Sequence, residues 1–172
     1  MKFFKIIPIP LIAIGTFFFT NTSFAENKNA DNYKVLGTSN YNLSIKNVEK
    51  FLDNGDRFIK KGEFEKAKEE YDKGRNLAKQ LSGFYRDLNG AFRGLDARIP
   101  REMDNKGRKS LKAWAQSNAR LASLYKRKNQ PEVAVPLLVE IIKLMSPASE
   151  EGKSAYRDLI NLGFVETIYQ GY

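Results

Sequence analysis

Ser123-Leu124-Tyr125-Lys126 sets a hydroxyl and an amine at the Ser-x-x-Lys spacing of acyl-transfer enzymes, in which a lysine can take the serine proton. The Lys-Thr-Gly segment that accompanies such a pair occurs nowhere in the 172 residues, which also contain no His and no Cys. The commonest general base, the thiol nucleophile and the usual zinc ligands are therefore missing. Glu63, Glu65, Glu69, Glu70 and Asp72 are dense enough to suggest paired catalytic carboxylates or a calcium site. They alternate with Lys66, Lys68 and Lys73, which is the pattern of ion pairs on a helix surface. No glycine-rich phosphate loop is present. These residues predict a protein with no catalytic activity, no cofactor and no metal.

Charge is the stronger signal. Lys and Arg number 29 against 20 Asp and Glu, a formal charge of +9. Phe84 to Lys128 holds 12 of the basic and 4 of the acidic residues, so a positive field is concentrated there that would steer acidic partners and weaken with salt. Arg98 to Lys109, RIPREMDNKGRK, reads as a basic connector with turn residues at Asp104-Asn105 and Gly107. It is first a solvated loop. Its sharper reading is an anion-binding corner made by Arg98, Arg101, Lys106, Arg108 and Lys109, with Lys112 close behind. Nucleic acid is not expected, because no groove-reading motif accompanies the cations.

The elements that position these groups begin after an export signal. Lys2 and Lys5 precede an apolar run from Ile6 to Phe19, and Ser23-Phe24-Ala25 is a small-x-small cleavage pattern. The run is 14 residues and contains Pro8, Pro10 and Gly15, whereas a spanning helix needs about 20. Cleavage after Ala25 makes 1–25 a signal peptide, 26–43 an Asn- and Ser-rich linker, and 44–172 one domain. The expected destination is the bacterial periplasm, or the thylakoid lumen if the host is a cyanobacterium. With no disulfide possible, helix packing must supply stability.

Val48 to Ala78 contains a complete helical hairpin. Val48, Phe51, Leu52, Gly55, Phe58 and Ile59 share one face, Lys61-Gly62-Glu63 makes a turn, and Phe64, Ala67, Tyr71 and Gly74 repeat the pattern. Gly55 and Ala67 supply the gap in which two antiparallel helices approach. The arrangement resembles a tetratricopeptide repeat, a helical hairpin of about 34 residues with large and small apolar side chains at fixed places. Leu121, Ala122, Tyr125, Ala134, Leu138 and Ile141 make a second copy, with Asn129-Gln130 as its turn and Asn118 where an aromatic residue is usual.

Between the copies, Ala67, Tyr71, Gly74, Ala78, Leu81, Tyr85, Leu88, Phe92 and Leu95 alternate steps of four and three, predicting one helix over 64–95 that ends at Ile99-Pro100. A break at Ser82-Gly83 is the alternative and would make a middle repeat. Farther on, Leu111 to Tyr125 predicts a helix. Pro131 to Met145 predicts a helix apolar nearly all round and so buried between neighbours. Ser146-Pro147 is expected to cap a last helix whose face, Tyr156, Leu159, Ile160, Phe164 and Ile168, covers the open end of the stack.

The reading is all-α: hairpins stacked as a short, tetratricopeptide-like right-handed solenoid with a capping helix. The resemblance implies a scaffold or adaptor that holds a partner protein on an inner surface lined by first helices. Carried over by position, that surface includes Leu52, Asp56, Ile59, Lys60, Ala119, Ser123, Lys126 and Arg127. The expected partner has acidic character, and the resemblance does not fix an oligomeric state. The alternative is a membrane-surface protein that binds anionic lipid headgroups through residues 84–128.

Overall fold

A computed structural model describes residues 42–169. The expected signal peptide and nearly all of the linker lie outside this range. Ser44 starts the first helix, α1 (Ile45–Lys60), by accepting the Asn47 N–H on its hydroxyl. Lys61-Gly62 ends it, with Gly62 at a φ of +75° that few other residues adopt. The second helix, α2 (Phe64–Ala91), runs back for 28 residues without a break at Ser82-Gly83. The helix persists despite the cost of Gly83 and Gly90, about 1 kcal/mol each, although the expected seam is buried only as far as Leu81 and leaves Leu88 and Leu95 exposed.

The third helix, α3 (Arg98–Arg127), corrects the expected connector, since 98–109 is its first third. Pro100 lies in its first turn, where its missing N–H has no helical acceptor to lose. Asp96 supplies part of the cap by accepting the Arg98 N–H at 2.8 Å. The turn pattern at Asp104-Asn105 and Gly107 is outweighed by i,i+4 ion pairs, Lys106 to Glu102 at 2.6 Å and Arg108 to Asp104, and by Met103, which is buried. The turn between α2 and α3 falls at 92–97, with Gly94 at a φ of +87°, so α2 ends at Ala91 and not at Ile99-Pro100, which instead lie in the first turn of α3.

Asn129-Gln130 forms the next turn, as expected, and α4 (Pro131–Met145) follows with Pro136 inside it. It buries Ala134, Leu137, Leu138 and Ile141. Val133 and Val139 are exposed, so the expected all-round burial is corrected: α4 is an outer helix, covered on one side only. Ser146 does not cap the last helix. With a φ of 73° it ends α4, and Ser149 caps α5 (Glu150–Asn161) by accepting the Gly152 N–H at 3.0 Å. Of the expected lid face, Leu159 is buried, while Phe164 and Ile168 lie beyond the helix and are exposed. The tail is held by the Tyr156 hydroxyl, which donates to the Thr167 carbonyl at 2.8 Å, and by an edge contact between Tyr156 and Tyr169.

The helices form an all-α stack of antiparallel hairpins in which each packs on the next in sequence, with α1 also touching α3. One layer holds α1, α3 and α5; the other holds α2 and α4. Gly55 is pressed against the Tyr71 ring, so closely that a β-carbon there would overlap it. Ala67 and Ala78 are buried on the same seam. Leu121, Leu124 and Leu138 form the dry centre, each contributing about 2 kcal/mol by burial. Because α2 and α3 are nearly twice as long as α1 and α4, residues 82–110 project as a two-helix overhang by about 20 Å at 1.5 Å per residue.

Candidate partner-binding face

Along the α1, α3, α5 layer two cavities open on opposite sides of α3. The first, about 150 Å³, is lined by Asp56 and Ile59 of α1, Tyr71 of α2, and Arg120, Ser123, Leu124 and Arg127 of α3. Its electrostatics centre on Asp56. Arg120 grips both carboxylate oxygens, and the Tyr71 hydroxyl donates to one of them at 2.6 Å. Partial burial pushes the Asp56 pKa up, but hydrogen bonds from Arg120 and Tyr71 outweigh it and hold the group below its ordinary value. Burial first, and then the bond to Asp56, push Tyr71 well above the usual phenol range, so its proton stays in place.

The second cavity, about 340 Å³, lies between α3 and α5 over a floor supplied by α4. Ala115, Ala119, Ala155, Leu138 and Ile141 make it apolar and shallow-walled, while Glu150, Glu151 and Asp158 line its acidic side. Two lysines bridge from α3 to that side, Lys112 to Glu151 at 3.2 Å and Lys126 to Asp158 at 2.7 Å. Small side chains allow a backbone to come close, and the surrounding charges can fix its direction.

The structure brings Asp56, Ile59, Ser123 and Arg127 together in the first cavity and places Ala119 in the second. Lys60 is exposed near Asp56, whose carboxylate it helps hold ionised. Leu52 is the exception. At 3% exposure it belongs to the core, because its side of α1 faces α2, and it cannot touch a partner. Arg120, Tyr71 and the α5 carboxylates were not foreseen. Arg120 had a signal, since it shares a helix face with Ser123 and Arg127 at steps of three and four.

The anion corner is dispersed along α3. Arg98 is held by Asp96, Lys106 by Glu102, Arg108 by Asp104 and Lys112 by Glu151. Arg101 and Lys109 are exposed. Residues 98–112 thus present a helix surface with mixed signs and no convergent pocket made by those six cations. Of the Ser123-x-x-Lys126 pair, Lys126 is engaged with Asp158 of α5. The acidic row at the start of α2 forms surface pairs as its spacing suggested, Glu63 with Lys66, Glu70 with Lys73 and Asp72 with Lys68, while Glu65 instead reaches Lys128 just past α3.

A buried polar joint lies beneath this face. Asn118 is 0% exposed, accepts from Arg75 Nε at 2.7 Å and donates to Glu140 Oε2 at 2.7 Å, while Arg75 Nη2 meets the same oxygen at 2.6 Å. Three helices, α2, α3 and α4, are fixed by one side chain at the place where the hairpin pattern usually carries an aromatic ring.

No protein-family model, curated protein or solved structure matches this chain. Among the described residues, no helix is long and apolar enough to cross a membrane.

Proposed function

We propose that this chain is a non-enzymatic scaffold, of the tetratricopeptide kind, that holds a segment of another protein against the face made by α1, α3 and α5. One observation carries the reading: two cavities flank α3 at neighbouring turns, one lined by Arg127 and the Arg120–Asp56 pair and the other by the carboxylates of Glu150, Glu151 and Asp158. A segment crossing α3 would meet Arg127 beside the Arg120–Asp56 pair on one side, and Glu150 beside the Lys112–Glu151 and Lys126–Asp158 pairs on the other. It therefore needs an acidic end and a basic end, and the opposed charges set which way it lies. This refines the expectation of a partner with acidic character. In the exported compartment that the leader suggests, an assembly factor or adaptor is the most concrete form of the proposal.

The test is lysine crosslinking in native cells, with the attached peptides identified by mass spectrometry. A reproducible partner joined through Lys60 or Lys126, and lost in the Ala119→Arg variant, is the expected result. Crosslinks that all lie away from this face, unchanged by Ala119→Arg, would sink the proposal.

A further inference from the structure

Two rows of side chains, one on α2 and one on α3, make a track that α4 occupies only in part. On α3 the row is Met103, Gly107, Leu111, Trp114 and Asn118; on α2 it is Arg75, Lys79, Ser82, Arg86 and Asn89, with Arg93 following in the turn just beyond the helix. Both advance by three or four residues, so each occupies one helix face. Glu140 of α4 sits where Arg75 and Asn118 meet. Leu144 comes near the end of α4, and the chain turns away at Ser146, whose φ is 73°. Past that point the track is an open groove of about 430 Å³. Tyr85, Met103, Leu111, Trp114 and Leu144 make its apolar walls, and Arg86, Arg93, Arg108 and Asp104 stand at its edges.

We propose that this groove seats an amphipathic helix of a partner protein, apolar on the side facing α3 and acidic on the flank facing α2. The filled half of the track shows the fit. There the occupant is a helix, packed by apolar residues, and its carboxylate meets the α2 arginine row at 2.6 Å through Glu140 and Arg75. In the open half, among the described residues, Arg86 has only its exposed neighbour Asp87 at 3.1 Å, and Arg93 only the Asn89 amide oxygen at 3.5 Å. A helix continuing along the line of α4 would bring carboxylates to both. This seat is separate from the α1, α3, α5 face and does not rest on the role proposed for that face.

Charge argues against a second copy of this chain as the occupant. The overhang's four acidic residues, Asp87, Asp96, Glu102 and Asp104, are each paired with one of its own cations. Among the described residues Arg93, Arg101 and Lys109 are left in surplus, so two overhangs would repel. Shape argues against a lipid surface, because a flat headgroup layer does not fill a groove between two helices.

Trp114 is the sole Trp and lines the groove, beneath the Lys79 ammonium at 5.5 Å from its ring centroid, so its emission reports occupancy. The experiment titrates the full chain with a synthetic helical peptide of about 18 residues, or five turns. The peptide carries leucine on one face and glutamate on its flanks; a second peptide has lysine in place of glutamate. Saturable binding of the glutamate peptide with a change in Trp emission is expected, roughly tenfold or more tighter than the lysine peptide and weakened by salt.

Gly107 lines the groove, and a β-carbon there would rest in ordinary contact with Tyr85 Cβ at 3.7 Å. Gly107→Leu therefore fills the groove beside Tyr85, suits a helix interior, and is expected to abolish binding with the helical circular dichroism intact. Arg93→Glu, on the exposed edge, is expected to narrow or reverse the preference between the peptides. Equal affinity for both peptides, saturable binding of neither, or binding that survives Gly107→Leu overturns the proposal. It is equally overturned by concentration-dependent dimerisation that Gly107→Leu removes, or by a Trp114 response to phosphatidylglycerol vesicles without a response to peptide.

Discussion

Arg120 and Asp56, 64 residues apart in sequence, form a two-pronged ion pair, with Nε 3.0 Å from Oδ1 and Nη2 3.1 Å from Oδ2. Tyr71 donates to the same carboxylate, so one anion ties α1, α2 and α3 at the proposed partner face.

That tie makes stability depend on acid. Asp56 has a folded pKa below its ordinary value, and so does Glu140, where burial pushes upward but bonds from Arg75 and Asn118 prevail. Groups depressed in this way contribute stability that is fully present above the unfolded carboxylate pKa, about 4, and is lost as pH falls through the folded value. Asp56→Asn is expected to cost about 1 kcal/mol at neutral pH, a modest figure because both side chains are more than a third exposed. It should also shrink the difference in urea midpoint between pH 7 and pH 3. An unchanged difference would refute the assignment.

Glycines in one helical hairpin are expected to respond with opposite signs. Gly55→Ala forces the buried Tyr71 ring aside and should cost about 2 kcal/mol despite better helix propensity. Gly83→Ala and Gly90→Ala meet nothing within 4 Å and should each stabilise by about 0.5–1 kcal/mol. Thermal melts of the three variants decide it, and a Gly55→Ala chain as stable as the parent would contradict the close approach.

Asn118→Ala is expected to lose about 2 kcal/mol, since the partly buried Arg75 and Glu140 lose their shared buried partner. Asn118→Leu should fare no better, although leucine suits the apolar pattern of the helix. A double-mutant cycle between positions 75 and 118 should show a coupling of about 1 kcal/mol, and additivity would argue that the joint is incidental.

Leu52 and Ala119 separate core from surface. Leu52→Asp buries a charge in the core that also holds Val48 and Tyr71 and is expected to abolish cooperative unfolding. Ala119→Arg leaves the melting temperature nearly unchanged while filling the α3–α5 cavity. If Ala119→Arg destabilised the chain by more than about 1 kcal/mol, loss of partner binding could not be assigned to the cavity.

The helical hairpins were legible because period and size coincide: Gly55 opposite Tyr71, Gly62 in the turn, and Ala67, Ala134, Leu138 and Ile141 inside. The first third of α3 was not. Gly107 and Asp104-Asn105 resemble a turn locally, and only the pairing of Lys106 with Glu102 and Arg108 with Asp104 shows the helix. Ser146 was misread for a related reason, since serine before proline usually caps the helix that follows, whereas here positive φ closes the one before. Of the proposed face, Asp56, Ile59, Ser123 and Arg127 were found by position within the hairpin pattern. The α5 carboxylates were missed, because nothing local in Glu150, Glu151 or Asp158 reveals that α5 will lie beside α3.

Glu65 to Lys128, Asp56 to Arg120 and Arg75 to Glu140 are separated by 63, 64 and 65 residues, and every one of these ties spans the overhang. None is anchored within it. Removing about seven residues, two helical turns, from each arm would return the same faces to the same phase and leave all three ties intact. Length is therefore a free variable at this one place in the chain. Insertions and deletions should be tolerated there in matched pairs, so that the reach of the arm can change while the body that carries it stays the same.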